Sequence, residues 1–116
     1  MLEELNFETD RATGRKYVSG SEPFALGHYA GNPIFPGVLS LQLMLDLSDA
    51  LFRQNGLPQP TKMRITRTQY LDMVRPGDVL EVEVDIKKRD EKQISVSARV
   101  SSAGVPKARG TFSYEL

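Results

Sequence analysis

No cysteine occurs in this chain, and histidine occurs once. Without thiols there is no disulfide framework, thiolate nucleophile or zinc ribbon. A single imidazole cannot build a histidine-rich metal site. An excess of charge of one sign is missing too: 15 basic and 15 acidic residues cancel, so no global field recruits nucleic acid or an anionic membrane surface. Long hydrophobic runs are also absent. The best of them, Val38 to Leu47, is interrupted by Ser40, Gln42 and Asp46, and no basic-then-apolar leader opens the chain. The expectation is a soluble, cytoplasmic protein without cofactor or metal, with no nucleic acid or membrane as partner. Its 116 residues suit one domain, 1–116, small enough to gain from a shared interface.

What is present is an ordered series of textures. Residues 2–9 and 15–20 read as short strands, with Asp10-Arg11-Ala12-Thr13-Gly14 as the hairpin turn between them. Residues 21–36 hold too many prolines and glycines for a regular element, and suit an ordered loop that positions a side chain. From 37 to 55, six leucines and Phe52 precede Asn55-Gly56, which predicts a helix. Apolar residues cover most of its circumference, so the helix is expected to be enclosed. Strand texture follows at 62–72, 78–89, 92–103 and 106–115, with tight connections at Pro76-Gly77-Asp78, Arg89-Asp90-Glu91 and Ala103-Gly104. The last three strands should form an antiparallel meander. The simplest layout is α+β, a curled antiparallel sheet wrapped round one helix.

His28, the only histidine, sits at the centre of the 21–36 loop. It is the one side chain here whose ordinary pKa lies near neutrality, which makes it the candidate proton-transfer base. Pro36-Gly37 then opens the helix, where free backbone N–H groups favour an anionic oxygen. Base and anion-stabilising helix end would face one pocket.

The stretch Gly27-His28-Tyr29-Ala30-Gly31-Asn32-Pro33-Ile34-Phe35-Pro36-Gly37-Val38-Leu39 resembles the signature of FabZ-type β-hydroxyacyl-acyl carrier protein dehydratases. Glu22-Pro23-Phe24 before it and Arg75-Pro76-Gly77-Asp78 after it match in order and spacing. The resemblance implies the hotdog fold and a dimer with active sites at the subunit interface. It also implies that a histidine and an acidic residue from opposite subunits eliminate water from a 3-hydroxyacyl thioester. His28 falls on that histidine and Gly37 on the glycine whose N–H faces the oxyanion. The family's glutamate falls fourteen residues after the histidine, and this chain has Gln42 there.

A carboxamide exchanges no proton near neutral pH, although it holds a hydroxyl or water by hydrogen bonds. A positioned general acid contributes about 10² to 10⁴ in rate, roughly 3 to 5 kcal/mol of barrier. Three routes remain open: Asp46, one turn deeper on the same helix face; a paralogous subunit that brings the glutamate; or a changed task, such as thioester hydrolysis or acyl binding without catalysis. Pro33, Ile34, Phe35 and Val38 are candidate acyl-binding walls, equally suited to plain packing. The expected partners are an acyl carrier protein or coenzyme A thioester and a second subunit, identical or paralogous. Gln42, Asp46, Asp49 and Arg53 also fit an ordinary solvated stripe. Lys62, Arg64 and Arg67 fit either a solvated edge or the meeting point with an acidic carrier.

Overall fold

A computed structural model of the protein describes residues 2–19 and 37–116, apart from the side chain of Val38. The elements are β1 (Glu3–Phe7), β2 (Arg11–Tyr17), α1 (Gly37–Gln54), β3 (Lys62–Tyr70), β4 (Val79–Arg89), β5 (Gln93–Ser102) and β6 (Val105–Glu115). All six strands form one antiparallel sheet in the order β1-β2-β4-β5-β6-β3. α1 lies across its inner face, packed on β2, β4, β5 and β6. This is the hotdog arrangement.

Alternation builds the inner face. Leu80, Val82 and Val84 of β4, Ile94, Val96, Ala98 and Val100 of β5, and Ala108, Phe112 and Tyr114 of β6 are buried, while their neighbours along each strand, Lys107 apart, are less covered. On the helix the covering set is Ser40, Leu43, Met44, Leu47, Ser48, Leu51 and Phe52, recurring every three or four residues. Phe52 meets Tyr114 edge to face, with ring centroids 4.8 Å apart.

The sheet covers one side of the expected central helix, and among the described residues its other flank is open. Gln42 and Asp46 are exposed, and Leu41 and Leu45 are only partly covered. One sheet can cover only one side of a helix, so the remaining apolar flank is left for something beyond this chain's described residues.

The first hairpin also differs from expectation. Its turn is Glu8 to Asp10, closed by the Glu8 N–H donating to the Arg11 carbonyl at 2.7 Å, and β2 already runs through Arg11 to Gly14. Gly14 had read as a turn residue, yet it is buried in the strand, where a methyl group on its Cα would lie 2.9 Å from Leu5 Cδ2. The glycine supplies close approach, not a bend.

The remaining turns follow local chemistry. Asp90 Oδ1 accepts from the N–H groups of Lys92 and Gln93 at 2.7 and 2.8 Å, which closes the β4–β5 turn and holds the Asp90 carboxyl below its ordinary range. Asp78 Oδ2 accepts from the Arg75 N–H at 2.8 Å ahead of β4. Between β5 and β6, Ala103 and Gly104 take φ of 49° and 80°, the left-handed pair that a two-residue hairpin needs.

Candidate functional site

The candidate site residues that the structure describes lie on the first half of α1. The helix begins at Gly37, and the ring of Tyr70 lies on that glycine: a methyl group placed there would fall 3.0 Å from Tyr70 Cδ1 and 3.1 Å from Cε1. Any side chain at 37 would have to displace the ring. Glycine therefore serves close approach at this point, and the aromatic face shields one side of the helix's amino end.

Tyr70 reaches this place through a bulge. Ile65 pairs with Phe112 and Arg67 with Thr111, so Thr66 is an extra residue on β3. The bulge puts Thr68 and Tyr70 on the inner face with Met63 and Ile65, and carries Arg67 to the outer face beside Lys62 and Arg64. The basic residues of β3 thus share one outward side, and its apolar residues share the other.

Gln42 lies in the second turn of α1, and its Nε2 donates to Asp46 Oδ1 at 2.7 Å. The pair is exposed and continues into Asp49 and Arg53, which lie 3.4 Å apart at the i, i+4 spacing. The solvated-stripe reading therefore describes this flank as it stands in one chain. Within it, the hydrogen bond orients the carboxamide: with the NH₂ turned to Asp46, Oε1 is left to act as the acceptor for a hydroxyl or a water.

Further along the helix, Leu45, Phe52, Met63, Pro60 and Tyr114 wall a groove of about 300 Å³, with Asp49 at its margin. Burial raises the pKa of the Tyr114 phenol, a hydrogen bond with Ser48 opposing it. These apolar walls were not singled out in the sequence. Met63 and Tyr114 face each other across β3 and β6, a pairing that only the sheet order creates.

Of the residues expected to form the site, the structure brings Gln42 and Asp46 together, with Gly37 one turn before them. His28, Pro33, Ile34, Phe35 and the rest of the 21–36 loop lie outside the described residues, as does the side chain of Val38.

Comparison with known proteins places this arrangement. The profile of the ApeI-like family, described as ApeI dehydratase, matches residues 4–110. The chain belongs to that family. Among curated relatives of the ApeI-like chain, the 3-hydroxyacyl-[acyl-carrier-protein] dehydratase FabZ of Pseudothermotoga lettingae is 35% identical over 104 residues, covering 89% of this chain and 74% of that one. FabZ of Fusobacterium nucleatum is 32% identical over 112 residues, covering 94% and 79%. FabZ of Xanthomonas oryzae pv. oryzae is longer, and the match spans 59% of it.

Solved structures share the fold at lower identity. One is the dehydratase heterocomplex ApeI:P from Xenorhabdus doucetiae, with TM-score 0.78 and 14% identity over 100% of this chain and 97% of that one. Another is the E. coli PaaI protein from the phenylacetic acid degradation operon, with TM-score 0.79 and 11% identity over 99% and 82%. At such identities the structures establish the hotdog architecture alone. The FabZ resemblance carried by residues 27–39 thus extends along nearly all of the ApeI-like chain. No helix among the described residues is long and apolar enough to cross a membrane.

Proposed function

We propose that this chain is a single hotdog domain, active as a dehydratase that eliminates water from a 3-hydroxyacyl thioester, carried on an acyl carrier protein or on coenzyme A, in the cytoplasm. What supports the reading above all is the dehydratase family match across residues 4–110, an interval that contains His28, Gly37 and Gln42.

In this reading His28 removes the proton from the carbon next to the thioester carbonyl, and the Gly37 N–H receives the negative charge that builds on the carbonyl oxygen. The electron pair then expels the 3-hydroxyl, which leaves as water on taking a proton from solvent or from the imidazolium that His28 has become. Gln42 holds that hydroxyl through Oε1, with its amide oriented by Asp46. Pro33, Ile34, Phe35 and Val38 contact the acyl group. A carboxamide positions the leaving group but gives it no proton, so a homodimer is a slow catalyst.

The second half of the proposal concerns assembly. Met63 and Ile65 are each 43% exposed on the inner face of the edge strand β3, and Leu41 and Leu45 are incompletely covered. A second subunit adding its own strand to β3 would cover all four. In such a dimer a paralogous partner with glutamate in place of Gln42 would supply the missing acid. The neighbour from Xenorhabdus doucetiae, described as a heterocomplex, is a precedent for assembly from two different chains.

The decisive experiment incubates purified protein with 3-hydroxyacyl and saturated acyl thioesters and follows products by mass. Enoyl thioester is the expected product, and Gln42→Glu should raise its rate on the order of 10- to 100-fold while His28→Ala abolishes it. Free thiol in place of enoyl product would make the chain a thioesterase. Tight binding with neither product would make it a non-catalytic acyl-binding or assembly subunit.

A further inference from the structure

Lys107 is the one charged residue buried among the described residues. It owes its place to an irregularity: Val100 pairs with Ala108 and Ser101 with Pro106, so Lys107 is an extra residue on β6. Its ammonium donates to the Met73 carbonyl at 2.9 Å, lies 3.1 Å from Asp72 Oδ2, and stands 3.9 Å from Asp78 Oδ2. Its own carbonyl accepts from the N–H groups of Leu71 and Asp72, at 2.8 and 3.3 Å. Asp72 is drawn in further by the Met73 N–H, 2.8 Å from Oδ1, and the hydrogen bond from Lys107 is the chief reason its carboxyl stays below the ordinary range. One residue thus grips the connection between β3 and β4 with both its main chain and its side chain.

For stability alone this is a poor choice. A buried ammonium is tolerated only when paired, and an apolar side chain of similar length commonly serves the fold as well or better. What the ion pair adds is a defined geometry for residues 71–73, and the residue just before them is Tyr70, whose ring lies on Gly37. Tyr70 is itself half exposed. The register of the connection decides where its ring rests.

We propose that Lys107 is a positioning residue for the dehydratase site: by clamping Asp72 and Met73 it holds the Tyr70 ring against Gly37, so that the ring walls the amino end of α1 where the thioester carbonyl is bound. This rests on the functional reading above. Lys107 touches no reacting atom in this scheme. It sets the position of the aromatic wall that the carbonyl must pass.

The chain has no tryptophan, so Tyr70→Trp installs a single indole against Gly37, excited selectively at wavelengths where the remaining tyrosines do not absorb. In that background Lys107→Met should leave the circular-dichroism spectrum unchanged, shift the emission to the red and at least double acrylamide quenching. Asp72→Asn, which leaves the buried lysine with the Met73 carbonyl and the more distant Asp78, should move the emission in the same direction by less. Asp90→Asn, which loosens a turn away from Tyr70, should leave the emission where it was. In the unmodified chain, Lys107→Met should lower kcat on the order of 10-fold with a smaller change in KM, as expected when a bound carbonyl is misplaced.

Unchanged emission and quenching in Lys107→Met would overturn the clamp. If Lys107→Met does not fold, Asp72→Asn decides, and an unshifted emission there overturns it equally. Absence of enoyl product from the unmodified chain defeats the functional reading instead, and leaves the fluorescence comparison to judge the clamp separately.

Discussion

The two edges of the sheet follow opposite plans. β1 is five residues long, its pairing with β2 slips between Glu3 and Asn6, and Glu4 sits at a φ of 52°, a left-handed value unusual for a side chain of its size. β3 is nine residues long and stays paired along β6 apart from the bulge at Thr66. It carries three basic residues and no acidic one on its outer side, and its inner side leaves Met63 and Ile65 exposed. Short, kinked, charged edges resist further strands, whereas a long edge with an apolar side invites one. The difference teaches which end of the sheet is finished and which is suited to the second subunit proposed above.

The largest expected effect breaks that contrast directly. Met63→Glu with Ile65→Glu should raise the dimer dissociation constant by at least about 100-fold, since covering the part of each side chain still exposed is worth roughly 1 to 3 kcal/mol in all and two carboxylates would have to be desolvated at the seam. Leu5→Glu on β1 should leave the assembly mass unchanged. Sedimentation velocity across a concentration series reads both, and equal effects at the two edges would erase the distinction.

A smaller effect sharpens it through glycines buried beside each edge. A methyl on Gly110 would meet Phe112 Cζ at 2.8 Å and the Arg67 carbonyl of β3 at 3.3 Å, and Phe112 is wholly enclosed. On Gly14 the nearest atom is the end of the Leu5 side chain, which has room to turn. Urea unfolding should show Gly110→Ala destabilised by about 1 to 3 kcal/mol, and Gly14→Ala by less.

The smallest effect concerns alkaline pH. Tyr114, opposite Met63 beside β3, has its phenol pKa raised by burial. A group with a raised folded-state pKa contributes stability that is complete below its unfolded value of about 10 and is lost as pH rises through the folded one. Melting temperature should therefore fall more steeply above that pH in the parent than in Tyr114→Phe. Parallel curves would show that the buried phenol is not the group responsible.

Much of the fold was legible because its signals are local. The strands of the β4–β6 meander came from period-two alternation and their turns from Asp90 and Ala103-Gly104, while the helix came from length and a stop at Asn55-Gly56. The helix's polar stripe was equally visible in Gln42, Asp46, Asp49 and Arg53. Gly14 misled because a glycine that allows close packing and one that bends a chain are the same letter. What covers the helix's outer flank was not legible, because hydrophobicity counts the surface that must be covered and is silent on which chain covers it. Tyr70 and Lys107 were missed because each depends on a bulge, and a bulge shifts the inside–outside alternation without leaving a residue type as its mark.

Taken alone, the sequence determined the elements and the family resemblance, and raised the expectation that Gln42 stands in the place of an acid, since each resides in residue identity and short spacing. Tertiary structure decided that β3 crosses to the far edge beside β6, that Tyr70 meets Gly37, and that a buried ammonium holds the connection next to them. Those contacts join residues tens of positions apart, and the free energy that selects them comes from burying one continuous core, which no local stretch of chain contains.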